Sequence, residues 1–373
     1  MQTFNTGHFL MGCRLDVWLR LLRENGFSIE KSRIPQALLI TAVSTALSPA
    51  ALTEKLIYKK KIEASAPTKE PVFVLGHWRS GTTYLQNMMS QDPQFGWADP
   101  VNTVIMPYSF LLGKTFQNSV AKGLADGRPM DNVQYSMDSP MEETFALLTI
   151  STHSIIHMIA FPANWKRYLS EAFLEDLPDQ KKREWRKAYD YVIRKLSYAN
   201  GGKQLLLKSP DNTAHVAEIH ALYPDARYIN IHRDPYATIR STIHMFRVQM
   251  EQLRLGPAPE NMDEIIEDVV VEIFRRMYES LFRAEALIPE NRRVDLAYAD
   301  FCAAPVERLR EIYKTLELSG FEEARPRFED YAARQKNYVK NNFTISPGLC
   351  RKINEKLGFY FERYGYEMRG VEA

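Results

Sequence analysis

The stretch PVFVLGHWRSGTT, residues 71 to 83, joins a short apolar run to a loop that contains two glycines. A run of Val, Phe and Leu closed by glycine is typical of a strand buried on both faces of a parallel sheet. Gly76 and Gly81 have the spacing of the phosphate-binding loop G-x-x-x-x-G-K-[ST], but Thr82 stands where that loop has its lysine. The stretch therefore predicts a strand, an anion-binding loop and a helix, without the lysine of an ATPase.

The rest of the chain alternates apolar runs with helical patterns. KQLLLKSP (203–210), ARYINIHRDP (226–235) and VDLAYADF (294–301) predict three further strands, each followed by a helical pattern. This alternation predicts an α/β fold whose mainly parallel central sheet is flanked by helices. Ligands of such sheets bind where the strands end, so the loops after the strands are expected to form one site.

Two acidic residues that follow these strands are expected to cap helices. Asp234 precedes Pro235, which places a capping side chain before a proline at the first helical position. Asp211 is the corresponding candidate for the helix that follows residues 203–210.

The chain is expected to divide into an N-terminal helical extension, residues 1–66, and a main domain, residues 67–373. An insertion of helices and loops at about 94–200 could form the substrate side of that domain. PQALLITAVSTALSPAAL (35–52) is only moderately apolar and contains Pro49, so we expect a buried or interface-lying helix rather than a membrane span. Packing on the domain is the favoured interpretation, and peripheral membrane contact is the alternative.

The composition excludes several classes of protein. A formal charge of +2 over 373 residues argues against nucleic acid as a partner. The three cysteines are far apart and have no zinc spacing, which favours a reducing, cytoplasmic compartment and predicts no metal site. The first residues have no basic stretch followed by an uninterrupted apolar core, so no signal peptide is predicted.

Three motifs in order resemble the PAPS-dependent sulfotransferases, where PAPS is 3′-phosphoadenosine 5′-phosphosulfate. They are RSGTT after a strand, LLLKSPDN, and the R-D-P-x-x-x-x-x-S of YINIHRDPYATIRS. The longer string PVFVLGHWRSGTTYLQNMMSQDP is similar to the group that includes many bacterial enzymes and, more distantly, the tyrosylprotein sulfotransferases. The resemblance spans roughly residues 70–365 and implies a P-loop-like sulfotransferase fold, PAPS as the donor and 3′,5′-ADP as the product. A sulfuryl group carries less negative charge than a phosphoryl group, so one cation and several hydrogen-bond donors could replace the lysine and Mg²⁺ of an NTPase.

The resemblance assigns the donor-binding residues by position. The loop residues that match the 5′-phosphosulfate site are Arg79, Ser80, Gly81, Thr82 and Thr83. Arg233 and Ser241 match the pair that grips the 3′-phosphate, for which a guanidinium fork and a hydroxyl are well suited. Tyr84 matches an adenine-stacking tryptophan of some relatives, although core packing is the favoured role. Lys340 and Asn341 could also touch the phosphates, but the glycine-bearing segment R-K-G-x-x-G that should precede them is absent.

The catalytic candidates are a lysine and three possible bases. Lys208 matches a lysine beside the transferring sulfuryl group, where a cation could stabilise the leaving group together with Arg79. Transfer to a hydroxyl also needs a group that takes its proton. Glu142 is the first candidate for this base and Glu143 the second, and His77 beside the loop is the third.

The acceptor and two rival functions are less constrained by the sequence. Residues 94–165 are rich in aromatic, Met and Ile residues, which could line an apolar pocket or belong to the core. A hydrophobic hydroxyl compound, namely a sterol, a lipid or a phenol, is therefore the expected acceptor. The alternatives are a P-loop kinase or NTPase, which would lack its lysine, and a catalytically silent nucleotide-binding or membrane-associated adaptor.

Overall fold

The computed structural model describes residues 7–67, 69–125, 136–335 and 344–370. In this part of the chain five strands form one sheet in the order β2-β3-β1-β4-β5. The strands are β1 Val72–Leu75, β2 Phe95–Gly96, β3 Gln204–Lys208, β4 Arg227–His232 and β5 Arg293–Ala297. β1 pairs in parallel with β4, and β4 pairs in parallel with β5. The predicted α/β fold with a mainly parallel central sheet is confirmed.

Helices precede, separate and follow the strands. In the first part of the chain they are α1 Leu15–Glu24, α2 Ile34–Ala64, α3 Thr82–Met89, α4 Pro100–Val104, α5 Ser109–Ala125, α6 Glu143–Leu148, α7 His157–Ala160, α8 Trp165–Glu171 and α9 Asp179–Ala199. In the second part they are α10 Val216–Leu222, α11 Pro235–Leu253, α12 Met262–Glu285, α13 Tyr298–Ala303, α14 Pro305–Thr315, α15 Phe321–Gln335, α16 Pro347–Lys356 and α17 Gly358–Tyr364.

The chain divides into two compact units. Unit 1 contains Met1–Lys69, Gly96–Leu207 and Val248–Met262, and unit 2 contains Glu70–Phe95, Lys208–Arg247 and Asp263–Ala373. Unit 1 is mainly helical and holds α2, while unit 2 holds β1, β4, β5 and the loop after β1. The predicted division into an extension (1–66) and a main domain (67–373) stays a prediction.

One local expectation is confirmed only in part, and another is wrong. The strand predicted in VDLAYADF is present as β5, but it ends at Ala297, where its pairing with β4 ends opposite His232, and the next residues form α13. Asp211 does not cap α10, because it lies within a 3₁₀ turn at Pro210–Ala214 and His215 occupies the cap position. Asp234 does cap α11, since its Oδ1 accepts a hydrogen bond from the backbone N–H of Tyr236 at 3.0 Å.

Candidate functional site

The loop between β1 and α3 needs both of its glycines. Gly76 and Gly81 have φ angles of 133° and 108°, in a region that L-residues rarely adopt. A Cβ on Gly76 would lie 2.4 Å from the carbonyl oxygen of Ile231, and one on Gly81 would lie 2.3 Å from a ring carbon of Tyr298. The glycine spacing read in the sequence therefore reflects two close approaches to residues at the ends of β4 and β5.

Polar groups of this loop are buried at the N-terminus of α3. Ser80 is fully buried, and its Oγ has no hydrogen-bond partner in the part of the chain that the structure describes. Buried hydroxyls are normally paired, so this one suits a ligand atom that the protein does not supply. The N-terminus of a helix favours an anion there. The site thus fits an anionic group such as phosphate or sulfate.

Two arginines and a serine from separate segments meet at this loop. Nε of Arg79 donates to Oγ of Ser241 on α11 at 3.0 Å, and Arg233 at the end of β4 donates to the carbonyl oxygen of Arg79 at 3.1 Å. Arg79 has a φ of 70°, which is uncommon for a residue other than glycine. The guanidinium of Arg233 also lies over the ring of Tyr298, 4.6 Å from its centroid. The structure therefore brings together Arg79, Arg233 and Ser241, as the sequence motifs predict.

Lys208 reaches the same loop from β3. Its Nζ donates to Oγ1 of Thr83 at 3.4 Å, and the side chain is almost fully buried. Thr83 belongs to the first turn of α3, so this ammonium group lies beside the helix N-terminus that would bind an anion.

His77 lies in an apolar environment inside unit 2. Its Nδ1 is 2.9 Å from the carbonyl oxygen of Trp78, and the rings of Trp78 and Phe274 lie against it. Nδ1 therefore carries the proton that is donated to this carbonyl. Burial lowers the pKa of His77 to about 4, so its imidazole is neutral at pH 7 and is a weak proton acceptor.

The two candidate glutamates belong to unit 1 and have different surroundings. Glu143 is fully buried in the first turn of α6, where its Oε1 accepts a hydrogen bond from the Tyr189 hydroxyl at 3.1 Å. Glu142 occupies the cap position before α6 and is partly exposed to solvent. Of the two carboxylates, Glu142 has the greater access to a molecule in solution.

Three other candidates were predicted to touch the donor. Tyr84 is half-buried and lies against aromatic residues, with ring centroids 5.0 Å from Phe301 and 6.3 Å from Tyr331. These contacts favour core packing for Tyr84. Lys340 and Asn341 lie outside the described residues.

Sequence reasoning missed two residues that shape the loop. Oγ1 of Thr213 accepts the backbone N–H of Gly76 at 2.8 Å, and Tyr298 lies against both Gly81 and Arg233. Each follows the end of a strand, Thr213 after β3 and Tyr298 after β5, so the rule that ligand sites form at strand ends could have identified both.

Known proteins that resemble this chain are sulfotransferases. The family model described as the sulfotransferase family matches residues 71–323, which is more than half of the chain. The omega-hydroxy-beta-dihydromenaquinone-9 sulfotransferases Stf3 of Mycobacterium bovis and Mycobacterium tuberculosis are each 28% identical to it, over 97% of this chain and 92% of the relative.

Two solved structures resemble it along most of its length. Sulfotransferase STF9 from Mycobacterium avium has a TM-score of 0.67 at 18% identity and covers 96% of this chain and 98% of its own. Sulfotransferase STF1 from Mycobacterium tuberculosis has a TM-score of 0.64 at 18% identity, and the match covers 93% of this chain and 90% of the STF1 chain. At this identity they support the fold alone, whereas the family model identifies the protein: the chain belongs to the sulfotransferase family and is an enzyme of that family.

Proposed function

We propose that this enzyme transfers the sulfuryl group of PAPS to the hydroxyl group of a hydrophobic alcohol, without a metal. The observation that carries the donor part of the proposal is the hydrogen bond from Arg79 to Ser241, with Arg233 bound to the Arg79 carbonyl. It joins the residues expected at the 5′-phosphosulfate to those expected at the 3′-phosphate. A nucleotide with phosphate groups at both positions would engage all three side chains.

Specific residues would hold each part of the donor. The 5′-phosphosulfate would be bound by Arg79, Ser80, Gly81, Thr82 and Thr83, and the 3′-phosphate by Arg233 and Ser241. The buried Ser80 hydroxyl supports this arrangement, because a phosphosulfate oxygen would supply its missing partner. Lys340 and Asn341 are proposed as further phosphate contacts.

The chemistry requires a proton acceptor and a cation. The acceptor oxygen forms a bond to sulfur while the bond from sulfur to the 5′-phosphate oxygen breaks, and the hydroxyl proton passes to a base. We assign the base to Glu142, since Glu143 is buried and engaged by Tyr189 and the lowered pKa of His77 makes that imidazole a weak acceptor. Lys208 beside Thr83 would stabilise negative charge on the leaving group.

The acceptor is proposed to be a lipid with a hydroxyl group. The name of the Stf3 relatives describes an ω-hydroxylated menaquinone, and this chain matches those relatives over 97% of its length. Sterols and phenols share the same combination of a hydroxyl group and an apolar body and are the remaining candidates. Family membership favours this reaction over the kinase and adaptor alternatives.

The cytoplasm is the proposed location, with peripheral membrane contact. Cys13, Cys302 and Cys350 are all free thiols, which is usual in a reducing compartment. A membrane-bound acceptor would be within reach of an enzyme that binds the membrane surface.

Two measurements test the proposal. Calorimetric titration should give much tighter binding of 3′,5′-ADP than of 5′-AMP, and no affinity for 3′,5′-ADP would contradict the donor. Incubation with labelled PAPS and a pool of lipid alcohols, sterols, phenols and sugars, read by mass, should give a sulfated lipid. Products from sugars alone would contradict the acceptor class, Mg²⁺-dependent ATP turnover would favour the kinase, and tight binding without any product would favour the adaptor.

A further inference from the structure

Exposed large hydrophobic side chains are concentrated in α2 and in the residues just before it. Among the described residues they are Leu19, Phe27, Ile34, Leu38, Leu52, Leu56 and Ile57 in this region, and Leu287 and Met368 elsewhere. Isolated exposed leucines are ordinary, but five large exposed apolar side chains on a single helix are more than isolated cases.

Four of these residues share one face of α2, which we call the apolar stripe: Ile34, Leu38, Leu52 and Leu56. Residues 34 and 52, like residues 38 and 56, are separated by about five helical turns, and residues 34 and 38 by about one, so the four lie above one another. Between them the same face carries Ala42, Thr45 and Pro49. Only 17% of the most apolar segment of this helix is buried.

Another face of α2 packs on the rest of unit 1. Ile40 and Ser44 are buried on this face, and Thr41, between this face and the apolar stripe, accepts a hydrogen bond from the Trp18 indole through its hydroxyl at 2.8 Å. Glu54 is buried in an ion pair with Lys195, and its other oxygen accepts hydrogen bonds from the N–H groups of Phe110 and Leu111 in the first turn of α5.

This attachment determines how the helix can meet a membrane. By length and composition the helical stretch Lys31–Ala64 could cross a membrane. A crossing would break the Glu54 contacts and place a carboxylate in hydrocarbon, which is costly. A helix that keeps its contacts with unit 1 can only lie along the membrane surface.

The charged residues beside the apolar stripe indicate what kind of surface could bind it. Exposed lysines, which we call the lysine cluster, follow and flank the stripe: Lys55, Lys59, Lys60 and Lys61. Lys31 and Arg33 precede the helix, whereas the exposed acid at its end is Glu63, which pairs with Lys59 at 3.8 Å. Both ends of α2 are therefore basic, so two copies of the helix would place positive charges opposite one another whether they paired parallel or antiparallel. An anionic lipid surface complements both ends.

We propose that the apolar stripe and the lysine cluster bind the surface of an anionic lipid bilayer, with α2 lying in the plane of the membrane. The leucines enter the boundary between headgroups and acyl chains, and the lysines contact the anionic headgroups. This binding site involves no donor-binding or catalytic residue and is independent of the proposed reaction.

Vesicle sedimentation with the full chain tests this inference. The protein should bind vesicles of phosphatidylcholine mixed with phosphatidylglycerol more tightly than vesicles of phosphatidylcholine alone. Leu52→Glu with Leu56→Glu should weaken binding by roughly ten-fold or more, because two apolar anchors are lost. Leu287→Glu changes another exposed leucine, outside the stripe, and should bind as the wild type does. Lys55→Gln with Lys60→Gln should weaken binding by roughly five-fold per lysine on the mixed vesicles only.

Several results would overturn the inference. The first is that the wild type binds neither kind of vesicle, and the second is that Leu287→Glu weakens binding as much as the stripe variant does. The third is a dimer, seen by light scattering, that Leu56→Glu dissociates while vesicle binding is absent, since a second copy would then be the partner. The affinity of each variant for 3′,5′-ADP, measured in parallel, should equal that of the wild type. A loss of vesicle binding is thereby distinguished from a loss of nucleotide binding, which would instead bear on the proposed donor.

Discussion

Nε of Arg79 donates a hydrogen bond to Oγ of Ser241 across 3.0 Å, although the two residues are 162 positions apart in the chain. The contact ties the loop after β1 to the second turn of α11. It fixes a positive charge at a loop that lacks the usual phosphate-binding lysine. Arg233 restrains the same loop through the Arg79 carbonyl. The proposed donor site is thus held by contacts between segments, and variants at these positions should affect the 5′-phosphosulfate and the 3′-phosphate of the donor to different extents.

Arg233→Ala should weaken binding of 3′,5′-ADP much more than binding of adenosine 5′-phosphosulfate. A hydrogen bond to a charged group contributes about 1.5–3 kcal/mol, which corresponds to roughly ten- to hundred-fold in affinity. Arg233→Lys keeps the charge but loses the planar fork, so its loss should be intermediate. Calorimetric titration of both nucleotides checks this prediction. Equal losses of affinity for both would mean that Arg233 does not bind the 3′-phosphate.

Gly81→Ala should destabilise unit 2 and weaken binding of 3′,5′-ADP. The added Cβ would lie 2.3 Å from the ring of Tyr298, and the φ of 108° is unfavourable for alanine. We expect a loss of about 1 kcal/mol or more in the free energy of unfolding. Gly348→Ala is the matched control, because no atom beyond its own chain neighbours and helix backbone lies within 4 Å of its added Cβ. Urea unfolding and nucleotide titration are the measurements, and similar behaviour of the two variants would contradict the role of Gly81.

The sequence predicts the parts of the site that are encoded locally. The apolar run, the loop and α3 lie within one stretch, and the cap of α11 needs only Asp234 and Pro235. The support given by Tyr298 comes from a segment far along the chain, and no local pattern indicates that its ring lies against Gly81. The sequence also does not predict that α2 is exposed, because the same leucines would suit a buried helix. Sequence periodicity indicates which residues share a face but not what covers that face.

Glu142→Gln should lower turnover roughly hundred-fold or more while leaving the affinity for PAPS nearly unchanged. The amide cannot take the proton of the acceptor hydroxyl, and general-base catalysis contributes about 10²–10⁴ in rate. Glu143→Gln is the matched control, since an amide oxygen can still accept the hydrogen bond from Tyr189. Steady-state kinetics with a lipid alcohol would check this, and full activity of Glu142→Gln would transfer the role to Glu143 or His77.

Lys195→Met should strongly destabilise unit 1. It leaves the carboxylate of Glu54 buried without its cation, and breaking a buried ion pair costs about 3–5 kcal/mol. The double variant Glu54→Gln with Lys195→Met should recover part of this loss, because no unpaired charge remains. Lys187→Met, an exposed position on the same helix, should change the free energy of unfolding by less than about 0.5 kcal/mol. Urea unfolding measures all three variants, and a loss for Lys195→Met as small as that of Lys187→Met would contradict the prediction.

His157→Phe should make the protein less sensitive to acid. Burial lowers the pKa of His157 to about 3, and its ring lies near those of Phe9 and Tyr168. The unfolded chain binds a proton below a pKa of about 6.5 whereas the folded protein does not, so the contribution of this group to stability is lost as the pH falls from 6.5 toward 3. Between pH 7.5 and pH 5 the free energy of unfolding of the wild type should therefore fall by about 2 kcal/mol more than that of the variant. Phe9→Leu, which alters the same contacts without a titratable group, should follow the pH dependence of the wild type. Urea unfolding at both pH values gives the comparison, and an equal pH dependence of wild type and His157→Phe would mean that this histidine is protonated in the folded state.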